Sequence, residues 1–136
     1  MALSEAARQF LMEKRFAVLA TIGADGLPHQ TVMWYELRGD TIMMNTAVGR
    51  VKDRHLRRDS RASVCVADGY TYVTITGVIQ MDENPAVAQE DIKQLAIRYE
   101  GQEEGERQSR DQFAKQRRVT LNLPITKVIV DGLDGE

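Results

Sequence analysis

The sequence predicts a mainly β (α+β) fold, in which six or seven short, mostly antiparallel strands form a closed or partly closed barrel with peripheral helices. Two observations lead to this prediction. Short runs of β-branched and apolar residues alternate with tight turns that contain glycine and aspartate. Helical periodicity is confined to the N-terminus, to a basic segment and to a stretch after Pro85. A length of 136 residues is about one ordinary domain, so we expect a single domain over residues 1–136.

Seven segments have the composition of strands. The residues at 23–26, 38–40 and 68–69 suit the tight turns between them, because glycine adopts the positive φ angles that such turns require. Pro28 begins its segment, where a missing N–H is tolerated. The predicted strands cover residues 16–22, 28–37, 41–45, 62–67, 72–81, 119–123 and 127–130.

Three helices are predicted. Ser4 can cap the first, because its hydroxyl accepts hydrogen bonds from the free N–H groups of the first turn. Residues 48–59 lack strand alternation and form a short helix or helical turn. A helix of about three or four turns follows Asn84 and Pro85, with a buried stripe at the helical spacing of Ala88, Ile92, Leu95, Ala96 and Tyr99. Residues 101–105 are acidic and contain two glycines, so we expect an exposed turn there.

Composition and charge exclude several classes of protein. The formal net charge of −2 argues against binding polyanions by bulk charge. Cys65 is the single cysteine, which excludes an intrachain disulfide and favours a cytoplasmic location. No apolar run approaches the roughly 18 residues of a membrane helix, and residues 1–15 do not resemble a secretory signal. Two histidines and one cysteine, far apart in the sequence, are too few for a typical zinc site, so no metal is expected.

The most informative segment is strongly basic. It holds six cations and two acids between residues 50 and 61, a local balance of +4 in an acidic chain. Thr46 and Gly49 precede it, and a hydroxyl, a flexible backbone and a helix N-terminus together favour an anion. Arg50 can hold a phosphate through two parallel N–H bonds, and Lys52 adds a point charge. The six cations are Arg50, Lys52, Arg54, Arg57, Arg58 and Arg61.

Two other interpretations of this segment stay open. It can be a solvated helix face, in which Arg57, Arg58 and Arg61 simply pair with nearby acids. Clustered basic residues can also bind nucleic acid. The second alternative is weaker, because the rest of the chain is acidic and contains no recognised nucleic-acid-binding module, so no nucleic-acid partner is expected.

The predicted second strand presents two different faces. His29, Thr31, Met33 and Tyr35 alternate with Gln30, Val32 and Trp34. One face is expected to join the core and the other to meet a cofactor or a partner subunit, although core packing alone would also explain Met33 and Trp34. We expect Cys65, which has no base nearby in the sequence, to be buried and inert.

Three stretches together resemble the pyridoxamine 5'-phosphate oxidase-like superfamily: FAVLATIGADGLPHQTVMWYEL, NTAVGRVKDRHLRRDSRASV and RRVTLNLPITKV. The resemblance extends from about residue 10 to residue 130 and is greatest to the branch that uses the deazaflavin coenzyme F-420. Val51 separates Arg50 from Lys52, as in that branch, whereas the oxidases that use flavin mononucleotide (FMN) often place Arg and Lys side by side. The C-terminal extension that contacts substrate in true pyridoxamine phosphate oxidases is missing, so vitamin oxidation is not expected.

The resemblance implies a split β-barrel and a homodimer with two cofactor sites at the subunit interface. It implies that Arg50 and Lys52 hold the cofactor's phosphate, assisted by the Thr46 hydroxyl and the Gly49 backbone. The extra cations Arg54, Arg57 and Arg58 would attract the acidic tail of the deazaflavin, which FMN lacks. The second strand would line the tricyclic ring, largely through its backbone, at Pro28, Gln30, Thr31, Val32, Met33 and Trp34.

From these residues we expect an oxidoreductase that transfers hydride between coenzyme F-420 and an unsaturated small organic substrate. The sequence shows no evident acid–base pair, which fits an enzyme whose cofactor supplies the chemistry. No catalytic side chain is identified. Two alternatives stay open: an FMN-binding oxidase or reductase of the same superfamily, and a non-catalytic protein that carries either cofactor.

Overall fold

The computed structural model describes residues 3–133, and within that range the chain forms nine strands and four α-helices. The helices are α1 (Glu5–Met12), α2 (Val51–Arg58), α3 (Pro85–Glu100) and α4 (Gln102–Asp111), and a short 3₁₀ helix (Phe113–Lys115) follows α4. The strands are β1 (Ala17–Ile22), β2 (Pro28–Met33), β3 (Glu36–Arg38), β4 (Thr41–Ala47), β5 (Arg61–Asp68), β6 (Thr71–Val78), β7 (Gln80–Asp82), β8 (Arg118–Pro124) and β9 (Lys127–Asp131).

Two antiparallel sheets enclose the main core. The first has the strand order β2-β1-β5-β6-β9 and the second the order β3-β4-β8-β7. Alternate residues of both sheets point into the space between them, where Leu19, Val64, Ile75, Met44 and Leu121 are fully buried. This arrangement confirms the predicted mainly β, α+β split barrel. Among the described residues, no helix combines the length and the hydropathy needed to cross a membrane.

The strand count exceeds the predicted six or seven because two predicted strands are each divided. Segment 28–37 breaks after Met33, and the chain passes from the first sheet to the second between β2 and β3. At the break, the Tyr35 N–H donates to the Tyr99 hydroxyl at 3.1 Å. Segment 72–81 breaks at Ile79, whose N–H donates to the Ser60 carbonyl at 2.8 Å. The apolar alternation continues through both corners, so the sequence pattern does not reveal them.

The outer face of the first sheet bears a row of exposed and half-buried side chains. The strand register aligns Val32, Val18, Cys65, Thr74 and Ile129 across all five strands. Cys65 is therefore half-buried on this outer face. The prediction that it is buried was wrong, because its position on β5 alternates with those of the buried core residues.

A second, smaller core lies on the outer face of the second sheet. There α3 packs Ile92, Leu95 and Ala96 against Met43 of β4, and Phe113 completes the cluster. The four-turn helix predicted after Asn84 is confirmed. This helix covers the outward face of β4 and β8, which explains why β4 is buried on both sides.

The predicted exposed turn at residues 101–105 was wrong. Gly101, at φ +95°, ends α3, and α4 begins at the next residue. Glu103 and Glu104 lie in the first turn of α4, where negative charge stabilises the helix dipole. Gly105 is buried, because α4 crosses α3 so closely that the two backbones meet at this position.

We predict that Gly105→Ala destabilises the protein. An added Cβ would lie 2.6 Å from the backbone nitrogen of Ile97, and backbone atoms cannot yield cheaply. Overpacking of this kind costs about 1–3 kcal/mol, whereas Gly→Ala in an uncrowded helix gains up to about 1 kcal/mol. The free energy of unfolding, measured in urea, shows whether the substitution destabilises or stabilises the protein. Ser109→Ala on the same helix serves as the control and should change it little; a gain for Gly105→Ala would contradict the close packing.

Candidate functional site

The turn before α2 is fixed by residues of the helix itself. Gly49 adopts φ +95°, a conformation that glycine reaches without strain. Its N–H donates to the Asp53 carboxylate at 2.7 Å, and its carbonyl accepts a hydrogen bond from Arg54. Helix α2 then begins at Val51, later than the predicted residue 48, because residues 48–50 form this turn. The side chains of Asp53 and Arg54 therefore hold the N–H and the carbonyl of Gly49, respectively.

The cations of the basic segment fall into two groups: those with a partner in the protein and those with none within residues 3–133. Arg54, Arg57, Arg58 and Arg61 belong to the first group. Arg57 pairs with Asp53 and Glu83, each at 2.8 Å. Arg61 pairs with Asp59, as the solvated-face interpretation expects, whereas Arg58 donates to the Ile22 carbonyl.

Arg50 and Lys52 behave differently from the other cations. Neither side chain forms a hydrogen bond or an ion pair within residues 3–133. Lys52 is nevertheless only 9% exposed. Its burial, followed by the charges of Arg50 and Arg118, lowers the pKa of its ammonium group. A buried cation without an anionic partner is unusual. The start of α2 therefore carries a positive charge that a bound anion would neutralise.

A cavity of about 300 Å³ lies beside these cations. The end of β2 forms one wall with Val32, Met33 and Trp34. Helix α3, α4 and the 3₁₀ helix form the opposite side. The remaining lining residues are Asn45, Arg50, Ile92, Leu95, Glu100, Gln108, Gln112, Phe113 and Arg118. The cavity therefore has an apolar wall and a cationic end, and it is open to solvent on one side.

An aromatic stack supports the apolar wall. The rings of Trp34 and Tyr99 are stacked with centroids 5.3 Å apart, and Phe16 stacks on Tyr99 at 5.6 Å. The Tyr99 hydroxyl donates to the Arg15 carbonyl and accepts from the Tyr35 N–H. Because Tyr99 is held at its hydroxyl, it fixes the plane of the Trp34 ring at the cavity wall.

Arg118 supplies the cationic end from the opposite sheet. Its Nε donates to Asn45 Oδ1 at 2.9 Å and its Nη1 to Gln116 Oε1 at 2.7 Å. The guanidinium also lies 5.0 Å from the centroid of the Phe113 ring. Arg118 is 6% exposed, and burial, followed by the charge of Arg50, lowers the pKa of its guanidinium to about 10.

A buried chain of hydrogen bonds holds Arg118 in place. Asn45 Nδ2 donates to the Ala88 carbonyl and to the Thr120 hydroxyl. The Thr120 hydroxyl donates to Asp91 Oδ2 at 2.7 Å, and Arg38 donates to Asp91 Oδ1 at 2.8 Å. This chain joins β4, β8 and α3. The one carboxylate in it, Asp91, is paired with Arg38 rather than with Arg118.

The structure brings some of the predicted site residues together and leaves others apart. Val32, Met33, Trp34 and Arg50 line the cavity, and Lys52 lies within electrostatic range of Arg50 and Arg118. Pro28 and Gln30 are exposed on β2 and do not line it. The alternation predicted for the second strand is present in β2, where His29 and Thr31 are half-buried and Met33 is buried, whereas Gln30 and Val32 are exposed. Beyond the strand, Trp34 is half-buried and Tyr35 is buried.

Thr31 and Thr46 share a feature that the sequence does not show. Each has a buried hydroxyl oxygen without a hydrogen-bond partner in the described part of the chain. A buried hydroxyl without a hydrogen-bond partner lowers the stability of the folded state. Thr31 and Thr46, both in the predicted site, are therefore polar groups whose burial is not compensated within the described chain.

Several cavity residues were missed by sequence reasoning. Gln108 lies on α4, which extends beyond the turn predicted at residues 101–105, and Gln112 follows that helix. Arg118 and Asn45 belong to strands whose pairing places Arg118 opposite Ala47, a contact between residues far apart in the sequence. One signal was present: β8 alternates apolar residues with the polar Arg118, Thr120 and Asn122, which indicates two different faces.

The two histidines also come together, away from the cavity. The His29 and His55 rings contact edge to face at 5.5 Å, and His55 Nδ1 lies 3.0 Å from the Thr21 hydroxyl. Within residues 3–133 no group of three or more His, Cys, Asp and Glu side chains is arranged to hold a metal ion.

Two antiparallel sheets with a half-open cavity at their edge define a split β-barrel. The profile of the pyridoxamine 5'-phosphate oxidase family matches residues 3–128. The chain belongs to this family.

Solved structures extend the comparison. The conserved hypothetical protein Rv2991 of Mycobacterium tuberculosis is 30% identical, with a TM-score of 0.80, over 96% of this chain and 85% of that one. An F420 reductase is 20% identical, with a TM-score of 0.75, over 93% of this chain and 98% of its own. HutZ, the haem storage protein of Vibrio cholerae, is 18% identical, with a TM-score of 0.71, over 98% and 97%. The last two show likeness of fold alone.

We predict that Thr46→Val and Thr31→Val stabilise the protein by about 1 kcal/mol, because each removes a buried hydroxyl that has no partner. Thr120→Val is the matched control. It removes a hydroxyl that bonds Asp91 and Asn45, and should cost about 1–3 kcal/mol. Chemical denaturation of the ligand-free protein measures all three. Destabilisation of the first two variants to the extent seen for Thr120→Val would show that their hydroxyls are satisfied.

Proposed function

We propose that this protein is an oxidoreductase that transfers hydride between the deazaflavin coenzyme F-420 and an unsaturated small organic substrate. The observation that carries the proposal is the cavity, in which an apolar wall meets cations that have no carboxylate partner. A flat ring that ends in a phosphate has the same division into an apolar part and an anionic part. Membership of the pyridoxamine 5'-phosphate oxidase family and the likeness to an F420 reductase support this assignment.

The residues of the apolar wall fit a tricyclic ring. Val32, Met33 and Trp34 present an apolar strand end, and the stack on Tyr99 keeps the Trp34 ring in one orientation. The β2 backbone and the half-buried Thr31 beside it would contribute polar contacts to the ring. In this role the chain orients the cofactor and excludes water from one of its faces.

The cationic end fits the phosphate. The side chains of Arg50 and Lys52 have no hydrogen-bond or ion-pair partner within residues 3–133, so binding an anion would not break an ion pair there. The burial of Lys52 strengthens its attraction for an anion, because charges interact more strongly where water is excluded. The Thr46 hydroxyl, buried and unpartnered, is a further donor near the end of β4. The Gly49 N–H already donates to Asp53, so it would bind the phosphate only after that hydrogen bond is broken.

The bound cofactor would supply the hydride chemistry, and the chain's residues would supply position. Glu100 is the acidic residue on the cavity lining, and it forms no ion pair with Arg50 or Arg118 within the described chain. We assign no proton transfer to it. Arg57 is paired with the carboxylates of Asp53 and Glu83, whereas Arg54 and Arg58 donate only to backbone carbonyls. The expected attraction of the deazaflavin's acidic tail therefore narrows to Arg54, Arg58 and the cavity cations.

Two alternatives have support of their own. A group of closely spaced cations also suits the phosphomonoester of FMN, which carries up to two negative charges, so an FMN-dependent oxidase or reductase is the second candidate. The likeness to HutZ, a haem storage protein, supports a non-catalytic binding protein. A cytoplasmic location remains part of the proposal, supported by the single cysteine.

We further propose a homodimer in which the outer face of the first sheet is the interface. Val32 is 68% exposed on that face and also lines the cavity. A second subunit packed there would close the open side of the cavity. Ile129, at the far end of the same row, and Phe16, which precedes β1, are also more than half exposed, so large apolar side chains are exposed at several positions of this face.

We expect titration of the purified protein with coenzyme F-420 and with FMN to show tighter binding of F-420. Trp34 is the only tryptophan and lies on the cavity wall, so its fluorescence should be quenched on binding. Reduction of enones and quinones by the F-420-loaded protein tests hydride transfer. Tight FMN binding with no response to F-420 would replace the first candidate by the second, and tight binding without turnover would favour a carrier.

Replacement of Arg50 and Lys52 together by alanine should weaken cofactor binding by at least about 100-fold, because a charge-assisted hydrogen bond contributes about 1.5–3 kcal/mol. The free energy of unfolding should not fall, since neither side chain has a protein partner within residues 3–133 and removal of the buried Lys52 charge relieves its desolvation. Arg107→Ala/Arg110→Ala is the control: it removes the same formal charge from α4, outside the cavity lining. Equal affinity for the wild-type protein and the Arg50/Lys52 variant would support a merely solvated basic helix.

The wild-type protein should sediment with twice the mass of the chain. Val18→Lys places a charge within this row, next to Val32, and should yield single chains with weakened cofactor binding. Val87→Lys on α3, at a position 38% exposed, is the control and should remain dimeric. A single-chain wild-type protein that binds cofactor with full affinity would exclude an interfacial site.

A further inference from the structure

The positive charge at the closed end of the cavity comes from two separate parts of the fold. Arg50 and Lys52 belong to the start of α2, whereas Arg118 begins β8, and the register pairs it with Ala47 at the end of β4. Arg50 and Arg118 both line the cavity. The charge of Arg118 lowers the pKa of Lys52, and the charge of Arg50 lowers the pKa of both Lys52 and Arg118. The three cations are therefore close enough to interact electrostatically.

Arg118 is buried without a neutralising partner. Its two protein acceptors are the side-chain oxygens of Asn45 and Gln116, both uncharged. Its second terminal nitrogen, Nη2, has no hydrogen-bond partner within residues 3–133. An arginine that is 6% exposed normally pairs with a carboxylate, because the desolvation of its charge is otherwise uncompensated. The surrounding fold thus holds a charge that it does not balance.

The orientation of Arg118 is set by buried contacts rather than by solvent. Asn45 is tied to the Ala88 carbonyl and to Thr120, which donates to Asp91. The Phe113 ring covers one face of the guanidinium. A side chain that is both charged and fixed in this way is preorganised to bind an anion without losing further conformational entropy.

We propose that Arg118 binds the same anion as Arg50 and Lys52, so that the phosphate is held from β8 as well as from α2. This inference rests on the proposed function and deepens it. The ligand class is an anion with two or more negative charges in close proximity: a phosphomonoester, or a phosphodiester with a neighbouring carboxylate. One singly charged group would leave part of the buried charge unbalanced.

The test uses inorganic phosphate as the probe, so that it is independent of the ring and of turnover. Calorimetric titration of the full-length protein, at constant ionic strength in chloride, gives the dissociation constant for phosphate. Arg118→Gln should raise this constant by about ten- to a hundred-fold, since it removes one charge-assisted contact. Arg117→Gln is the matched control: the neighbouring arginine is exposed, and its loss should change the constant less than about three-fold.

Asn45→Asp provides a second, independent variant. It keeps an acceptor for Arg118 but places a carboxylate beside it, and the new ion pair should compete with phosphate and weaken binding by about ten-fold or more. This variant keeps Arg118, so it tests the inference even if Arg118→Gln does not fold. Circular dichroism establishes which variants are folded.

The outcomes distinguish this inference from the proposed function. Weakened binding in the folded variants at positions 118 and 45, with an unchanged Arg117→Gln, supports it. Wild-type affinity in either folded variant, together with loss of binding in Arg50→Ala/Lys52→Ala, overturns the role of Arg118 and leaves the proposed function standing. Absence of binding by the wild-type protein to phosphate and to both cofactors overturns the two together.

Discussion

Positive charge without a balancing carboxylate, held at the edge of a rigid barrel, is the constraint on which the site depends. Lys52 and Arg118 are nearly buried, and Arg50 lines the cavity and acts electrostatically on both. Such charges cost free energy in the ligand-free protein, because burial removes water and no protein anion replaces it. The two sheets and the chain of hydrogen bonds from Arg118 to Asp91 must therefore be stable enough to tolerate that cost. A bound anion would neutralise these charges, and the free energy recovered in this way would contribute to its affinity.

The fold was predictable from the sequence wherever local pattern and final structure agree. The β-branched runs, the glycine turns and the apolar stripe of α3 each express a local preference that the barrel also uses, which is why the fold class and the third helix were correct. The errors lie where tertiary contacts decide. At Trp34 and Tyr35 the apolar alternation continues while the chain changes sheet, and a hydroxyl from α3 receives the Tyr35 N–H. At Gly105 a glycine that indicates a turn in isolation instead permits two helices to touch.

The candidate site was predictable to the extent that it is contiguous in sequence. Residues 32–34 and Arg50 come from two short segments, and each segment has an unusual composition that draws attention to it. Asn45 attracted no attention, because one polar residue in a strand is not unusual. Arg118 could not be placed, because only the β4–β8 register brings it beside the start of α2. A site assembled by long-range strand pairing is visible in sequence as separate polar positions on otherwise apolar strands, without any indication that they meet.

The distribution of partners among the basic residues explains how one segment can serve both structure and binding. Arg57 satisfies the buried Asp53, whose other oxygen accepts from the Gly49 N–H, and so the ion pair also fixes the turn that leads into α2. Arg54 and Arg58 are tied to backbone carbonyls on either side. Because these three cations fix the position of the helix, Arg50 and Lys52 can remain unpaired in a defined place. The net charge of the segment therefore says little about binding by itself; what matters is which of its charges the fold leaves without a partner, and those lie at the cavity.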